Sequence, residues 1–566
     1  MLFILITAIF VQTTLVILSI GAGRFIIDRC LRFDSESVYL RMGSCFFIGV
    51  AFLIVFTRLG TFLSKDASLS SSGVIFITII LSLFSYSKIK SDIRNLFLGI
   101  NFLLALCIIL VAAISLLIYW LPPENQVNNP FSSIGSLHSV RYAWITNSIL
   151  ENNNILVFPQ NTAQSILAFI SSFLSFRAPF LYLFLWLFSS LLFLSLFVYG
   201  LICKLAGNSR KNLLGITVFM MGSSALSLTH ILIIDSGSPF LLNGYTDTIL
   251  GIFSLFFLLI VCENINNAVS RINIFFITLL IVVLNFLCAP QNVIFFSLIP
   301  ISLFIFSKFK KENCLFVIIF WVLIILVSAL ISIPLGGMLT PKLFLSPITY
   351  SGIMSPAGSG VYSGIQVYPG IPFYYGWMGN WESGLTPLLS FAKDYFASKL
   401  TLESFLNKSI WGLEQITVTS LRVLFFVIVG IFFLAYKFKL STPLLNQNRE
   451  LLTINSIGMC GIIFFFVGLM PIFLLMLNGY KWELSRFLIP GISIGFLGLS
   501  LGVIHLMNGS PAFKKYIIIF CFIFILGGPF ANLVATIAYN FTHLVRDSAY
   551  KAYFVQFIGI GPSTLE

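Results

Sequence analysis

Long apolar runs recur along the whole chain and are separated by short polar segments. At about 1.5 Å of rise per residue, a helix of about 20 residues crosses the hydrocarbon core of a bilayer. The polar segments between the runs mark about fourteen crossings, near residues 2–22, 42–59, 73–86, 95–120, 179–203, 212–234, 246–262, 272–288, 292–307, 313–334, 415–436, 451–477, 487–507 and 514–536. The pattern therefore predicts an all-α polytopic membrane protein with about fourteen transmembrane helices.

The composition agrees with a lipid environment. Of the 566 residues, 58% are hydrophobic and only 9% are charged, against roughly 25% charged in a soluble domain. So few charges could not cover the surface of a water-soluble protein of this length. We expect one transmembrane domain over residues 1–566. Residues 2–22 are interpreted as a retained first helix, because neither a basic segment nor a small-residue cleavage site accompanies them.

Basic residues are concentrated in alternate connectors, which predicts the orientation of the chain. Short connectors hold 19 of the 32 Lys and Arg residues: Arg24, Arg29, Arg32, Arg41, Lys88, Lys90, Arg94, Lys204, Arg210, Lys211, Arg271, Lys308, Lys310, Lys311, Lys437, Lys439, Arg449, Lys514 and Lys515. The positive-inside rule places these connectors in the cytoplasm and both termini outside. We expect a multi-pass protein of the bacterial inner membrane. The net charge of +13 then reflects helix ends, and no nucleic-acid partner is expected.

Two connectors on the outer side, residues 121–178 and 335–414, are much longer than the others. A long loop between membrane helices is usually functional or disordered. The stretch 361–381 is rich in Tyr, Trp, Gly and Pro, which favours an ordered aromatic surface at the interface or against a ligand. Trp377 and Trp381 are therefore candidate substrate-binding residues, and the active face is expected outside the cytoplasm.

The first long loop carries candidate polar groups. Residues 136–150 have helical character, and His138 and Arg141 are spaced for one face of that helix. Both are candidate substrate-binding residues, or they simply contact lipid headgroups. Residues 163–176 are apolar on one side and predict a helix along the membrane surface.

Two carboxylates flank the connector between predicted crossings 212–234 and 246–262. Asp235 follows the first crossing and Asp247 opens the second, both on the outer side. Asp235 is a candidate substrate-binding residue and Asp247 a candidate catalytic carboxylate. A residue in the position of Asp247 can equally be a helix cap, because the helix dipole favours an acid there.

Two cations, Lys481 and Arg486, lie at the outer start of a late crossing. The positive-inside rule disfavours cations on this side, so a compensating anion is expected. A lipid phosphate or pyrophosphate suits that role, because Arg binds phosphate through two parallel hydrogen bonds. Pairing with Glu483, or a role as an interfacial anchor, is the alternative.

No metal or disulfide chemistry is indicated. The nine cysteines all fall in or beside apolar runs, and no Cys or Cys/His spacing typical of a zinc site occurs.

Three segments together resemble the GT-C superfamily of integral membrane glycosyltransferases, which use polyprenyl-phosphate-linked sugars. The first long loop contains a short predicted helix followed by Pro159, Gln160 and Asn161. A later crossing opens with an acid in Tyr-Thr-Asp, ending at Asp247. A late crossing opens with Ser-Arg-Phe-Leu-Ile-Pro, Ser485 to Pro490. The resemblance spans roughly residues 100–510.

This resemblance implies an inverting transfer of a sugar to a glycan, lipid or protein of the cell envelope. It implies a carboxylate base, with Glu124 and Asp247 as the candidates, and a phosphate site at Lys481 and Arg486. The family usually places an acid in the first loop where this chain has Gly135 and Ser136. Some members use a divalent metal, but no ligand pattern here demands one.

Two other classes of protein fit parts of the pattern. An O-antigen polymerase or ligase also has a large late outer loop, but residues 335–414 contain no Arg or His. A lipid-linked glycan flippase or transporter would also have many crossings. It should carry charged residues within its helices, along a path through the membrane.

Overall fold

The computed structural model describes a set of helical segments and some shorter stretches between them. The described residues are 2–31, 37–99, 156, 165–166, 169–170, 179–207, 211–224, 246–264, 271–289, 292–293, 295–299, 311–336, 457, 460–461, 463–464, 467 and 481–508. These residues are 95% helical, and no strand occurs among them. The predicted all-α class is confirmed for this part of the chain.

Except for the third, each described helix overlaps one predicted crossing. The described helices are α1 (Leu2–Cys30), α2 (Val38–Ser64), α3 (Ala67–Gly99), α4 (Pro179–Ala206), α5 (Asn212–Ser224), α6 (Thr246–Asn264), α7 (Arg271–Cys288), α8 (Lys311–Ser332) and α9 (Lys481–Asn508). Four apolar stretches among them are long enough to cross a membrane: Ile6–Cys30, Val38–Ser64, Ala67–Gly99 and Leu185–Ala206. The chain is an integral membrane protein by these helices.

The third helix differs from its prediction. The sequence pattern separates crossings 73–86 and 95–120 by a connector that holds Lys88, but α3 continues through it to Gly99. Within that stretch Lys88 and Asp92 form ion pairs with α1 and α2. These ion pairs stabilise the polar side chains, so the helix continues through this stretch without a turn. At 33 residues, α3 is about 50 Å long and exceeds the roughly 30 Å hydrocarbon core.

The second helix lies at the centre of the first four. It packs against α1, α3 and α4, and its residues from Leu40 to Val55 are buried. Glycines permit this close approach: a Cβ on Gly23 would lie 1.8 Å from the carbonyl oxygen of Cys45, and one on Gly49 would lie 1.8 Å from that of Ser19. Small residues are the usual means of close helix packing in membranes, where backbones approach through them.

Contacts between helices define two ends of the bundle. Helix α1 ends and α2 begins where Arg24, Arg41 and Lys88 lie, and we call this the basic end. Tyr39 packs edge-on against Tyr199 with ring centroids 5.0 Å apart, so α4 ends here as well. We call the opposite end, at which α2 ends, the Arg58 end. The positive-inside rule predicts that the basic end faces the cytoplasm.

Large apolar side chains are exposed along several outward faces. Phe10 of α1, Phe76 and Phe84 of α3 and Leu330 of α8 are each at least 65% exposed. Exposed apolar side chains of this size are expected where helices face lipid.

Candidate functional site at the Arg58 end

Most of the predicted site residues fall outside the described residues. These are Glu124, His138, Arg141, Asp235, Trp377 and Trp381. Asp247, Lys481 and Arg486 belong to described helices, so the course of their backbones is known. Their side chains are not among the described ones. The roles predicted for all nine residues stay predictions.

Helix α6, which carries Asp247 in its first turn, begins at the Arg58 end. The next helix, α7, starts at the basic end, where the Nδ2 of Asn273 donates to the carbonyl oxygen of Arg29 (2.7 Å). It therefore ends at the Arg58 end. After its last residue the chain turns, and the side chain of Asn292 packs against Gly251 of α6. Gly251 is only four residues after Asp247, about one helical turn.

Helix α9, which carries Lys481 and Arg486 in its first two turns, runs parallel to α6. Its last turn is fixed at the basic end, where the Nζ of Lys211 donates to the carbonyl oxygen of Met507 (3.0 Å). At 28 residues, α9 is about 42 Å long and so begins at the opposite end. The two helices also pack against each other. The backbones that carry Asp247 and Arg486 therefore start at the same end of the bundle.

A group of buried amides and a hydroxyl fixes the first half of α6. The Nδ2 of Asn285 donates to the Oγ of Ser254 (2.9 Å) and to the carbonyl oxygen of Ile281 (2.9 Å). Its Oδ1 accepts from the Nδ2 of Asn292 (3.2 Å). All three side chains are buried. Hydrogen bonds of this kind hold membrane helices together, so the group positions the helix that carries Asp247.

Arg58 is a fully buried cation at this end. It lies in α2, six residues before Ser64, and its exposed fraction is 0%. Its Nη1 donates to the carbonyl oxygens of Leu335 (3.0 Å) and Gly336 (3.2 Å), and its Nη2 donates to the Oγ of Ser165 (3.4 Å). No salt bridge to Arg58 occurs among the described residues.

Arg58 binds the turn that follows a helix. Helix α8 ends at Ser332, and Leu335 and Gly336 belong to the turn after it. The guanidinium satisfies two backbone carbonyls of this turn, and a cation near the C-terminus of a helix is stabilised by the negative end of the helix dipole. Gly336 has φ +73, a left-handed conformation that glycine adopts without strain and that often terminates a helix.

The basic end holds a second group of buried charges. Asp92 accepts from the Nε (3.0 Å) and Nη2 (2.6 Å) of Arg41 and pairs with the Nε of Arg24 (3.1 Å). Asp28 pairs with Arg24 (2.7 Å) and Lys88 (2.9 Å). These three cations and two carboxylates join α1, α2 and α3 through ion pairs. The group therefore acts as a link between helices.

Sequence reasoning missed Arg58, although a signal for it is present. Arg58 falls inside predicted crossing 42–59, and an ionisable residue within a membrane helix is a functional candidate by default. Arg58 is not among the connector cations from which the orientation is predicted. Its acceptors, at residues 165, 335 and 336, are too far along the chain for a local pattern to indicate.

Within the described part of the chain, no three His, Cys, Asp or Glu side chains are grouped as metal ligands would be. The buried polar groups described around Asn285 and Arg58 are amides, hydroxyls, backbone carbonyls and a guanidinium.

Comparisons with protein-family models, with curated proteins and with solved structures find no match to this chain. The resemblance to the GT-C superfamily therefore depends on the three sequence segments alone.

Proposed function

We propose that this chain is a GT-C-like glycosyltransferase. It moves a sugar from a polyprenyl-phosphate carrier to a glycan, lipid or protein acceptor at the non-cytoplasmic face of the membrane, within a domain of about fourteen crossings. The observation that carries the proposal is the parallel course of α6 and α9. Both helices begin at the Arg58 end, so the backbones bearing Asp247, Lys481 and Arg486 start on the face that the charge pattern assigns to the outside.

The proposed reaction needs one base and one cation site. The carboxylate of Asp247 or Glu124 takes the proton of the acceptor hydroxyl while that oxygen attacks the anomeric carbon. The bond from this carbon to the phosphate oxygen breaks, and the polyprenyl phosphate leaves with the bonding electrons. Lys481 and Arg486 stabilise the negative charge that develops on the phosphate. Attack from the side opposite the leaving group inverts the anomeric centre.

The remaining predicted residues would hold the sugar and the acceptor. Trp377 and Trp381 offer aromatic faces against which a sugar ring can pack, and His138, Arg141 and Asp235 offer hydrogen-bonding groups for its hydroxyls. The exposed apolar faces of α1, α3 and α8 give the polyprenyl chain a surface to lie against in the bilayer. The partners of the protein are then the lipid-linked donor, the acceptor and membrane lipids.

The buried charges favour this proposal over a flippase. A flippase needs charged groups along a path through the membrane. Here Arg24, Arg41 and Asp92 are engaged with one another at the basic end, and Arg58 is engaged with backbone carbonyls at the other. Described charges of this kind join segments of the protein instead of marking a path.

The test is transfer by the purified full chain in lipid vesicles. Polyprenyl-phosphate sugars are supplied singly, and the released polyprenyl phosphate is quantified by mass spectrometry. We expect Asp247→Asn or Glu124→Gln to lower turnover by roughly 100-fold or more, because general-base catalysis contributes about 10²–10⁴-fold. Arg486→Gln should lower it by a similar factor, with partial recovery in Arg486→Lys.

A matched carboxylate, Glu403→Gln in the second long loop, serves as the control and should retain wild-type turnover. The same variants are compared in cells whose surface glycan requires this protein. Normal glycan levels in all of Asp247→Asn, Glu124→Gln and Arg486→Gln, at normal expression, would reject the site. Movement of labelled lipid across the vesicle bilayer without release of polyprenyl phosphate would instead indicate a flippase.

A further inference from the structure

A single side chain contacts described residues of both long loops. Arg58 donates to the carbonyl oxygens of Leu335 (3.0 Å) and Gly336 (3.2 Å), where the loop of residues 335–414 begins. It also donates to the Oγ of Ser165 (3.4 Å), which belongs to the loop of residues 121–178. Leu335 and Ser165 are, like Arg58, almost fully buried. The guanidinium therefore lies between the two loops rather than beside one of them.

A second contact joins the same loops without Arg58. Gly336 lies against Leu156 of the first loop so closely that a Cβ on this glycine would be 2.7 Å from the carbonyl oxygen of Leu156. Gly336 also has a positive φ of 73°. Both the space and the conformation at position 336 therefore require glycine. Leu156 is itself buried, so the first loop is fixed against the start of the second at two separate points.

The chemistry of Arg58 makes this contact directional. A guanidinium presents five N–H donors in a rigid plane, so its acceptors must lie in set directions. Three acceptors from two distant parts of the chain meet that requirement here. Lysine offers a compact charge on a flexible stem and cannot satisfy all three acceptors with the same planar geometry.

We infer that Arg58 is a positioning residue that holds the first long loop against the start of the second, so that the two respond as one unit. Its consequence for catalysis rests on the proposed function, because the loops carry His138, Arg141, Trp377 and Trp381. A displacement of about 1 Å in groups that orient a substrate can lower turnover by roughly 100-fold. Arg58 then acts on the reaction without touching the substrate.

Hydrogen–deuterium exchange on the full chain in nanodiscs tests the inference without any assumption about the substrate. Arg58→Lys should raise amide exchange in peptides covering 156–170 and 333–345 together, by roughly tenfold to hundredfold, because hydrogen bonds to a charged donor are lost in both. Exchange within α2 should stay at its wild-type level. Gly336→Ala should produce the same pair of changes, and the double variant should add little to either single change.

Arg41→Lys is the matched control, since Arg41 is also a buried arginine of α2 but pairs with Asp92 at the basic end. It should leave both loop peptides unchanged. A response in only one loop peptide, or in neither, overturns the inference. So does a rise in exchange throughout α2, which would assign Arg58 a general role in stability.

The outcome is separable from that of the proposed function. If Arg58→Lys raises exchange in both loop peptides but the wild-type protein releases no polyprenyl phosphate, the glycosyltransferase is rejected and the role of Arg58 stands. If the protein is an active transferase but Arg58→Lys leaves both loop peptides unchanged, the role of Arg58 is rejected and the glycosyltransferase stands. In an active enzyme with coupled loops, Arg58→Lys should lower kcat more than Gly73→Ala, a substitution on the open side of α3.

Discussion

At the scale of single residues, buried charges distinguish this protein from a simple bundle of apolar helices. Asp92 is nearly fully buried between the guanidinium groups of Arg24 and Arg41. Removing water from a charge costs several kcal/mol unless a partner compensates it. Each of these groups is tolerable inside the bundle only because the others are present. Loss of one partner should therefore cost more than the pair itself contributes.

Asp92→Asn should be strongly destabilising. The amide removes the negative charge and leaves two buried guanidinium groups without it, at a cost of about 3–5 kcal/mol. We expect a clear fall in the apparent melting temperature of the purified protein in detergent. Lys88→Gln is the control, because Lys88 is 49% exposed and surface pairs contribute less than about 1 kcal/mol. Equal melting temperatures for the two variants would contradict the role of Asp92.

At the scale of helices, packing in the bundle depends on the absence of side chains at a few positions. Gly49 of α2 faces the backbone of α1 at Ser19, and Gly23 of α1 faces the backbone of α2 at Cys45. The two contacts are reciprocal, so both helices contribute a glycine to the same interface. Lipid supplies no hydrophobic drive for helix association, which makes such close van der Waals contact the main source of attraction.

Gly49→Ala should separate α1 from α2. Its Cβ would lie 1.8 Å from the carbonyl oxygen of Ser19, and overpacking of this kind costs about 1–3 kcal/mol or more. Gly73→Ala in α3 is the matched control, because no atom lies within 4 Å of its Cβ position. That control should be neutral, or stabilising by up to about 1 kcal/mol through helix propensity. Apparent melting temperatures measured side by side provide the check, and an equal effect of both substitutions would disprove the close contact.

At the scale of the whole molecule, the separation of charge between the two ends should decide how the chain lies in the membrane. Arg24, Arg41 and Lys88 lie at the basic end. At the other end, a short turn made of Lys65 and Asp66 connects α2 to α3. That turn is tight: the backbone N–H of Lys65 donates to the carbonyl oxygen of Thr61 (2.8 Å), and the Oδ1 of Asp66 accepts from the backbone N–H of Leu69 (2.9 Å). The short turn is expected outside.

Thiol labelling in intact cells measures this orientation. Lys65→Cys should react with a membrane-impermeant maleimide added outside, whereas Ser35→Cys, in the connector between α1 and α2, should react only after permeabilisation. Lysine already adopts a positive φ of 60° at position 65, so cysteine faces the same backbone requirement. The wild-type protein is the control, since its described cysteines are buried except for the partly exposed Cys30. The opposite labelling pattern would show that the orientation in the membrane is the reverse of the predicted one.

Most of the described helices were predictable from the sequence, and the error at α3 shows the limit of that prediction. Crossings 179–203, 246–262 and 272–288 match α4, α6 and α7 within a few residues, because the length of an apolar run is a local property. The stretch from Lys88 to Arg94 has the composition of a connector, yet α3 passes through it. Lys88 pairs with Asp28, and Asp92 pairs with Arg24 and Arg41, all on other helices. No local pattern contains these partners.

The candidate site stays a prediction. Charge and helix count place Asp247 and Arg486 on one face, and the shared starting end of α6 and α9 is in keeping with that placement. Arg58 stands inside a predicted crossing, but its role depends on Leu335, which is 277 residues away along the chain. A contact between such distant residues leaves no trace in spacing or composition.

The sequence by itself determined that this protein lies in a membrane, that it is helical, and at which end of its helices most connector cations lie. Those properties follow from hydropathy and charge, which each segment expresses without reference to any other. Only the tertiary structure decided which charges are buried, which glycines are indispensable and which loops share an anchor. These depend on the residues that folding brings together. In a bilayer, a buried charge is stable only beside an opposite charge or a hydrogen-bonding group, and a glycine backbone only where another helix packs closely against it.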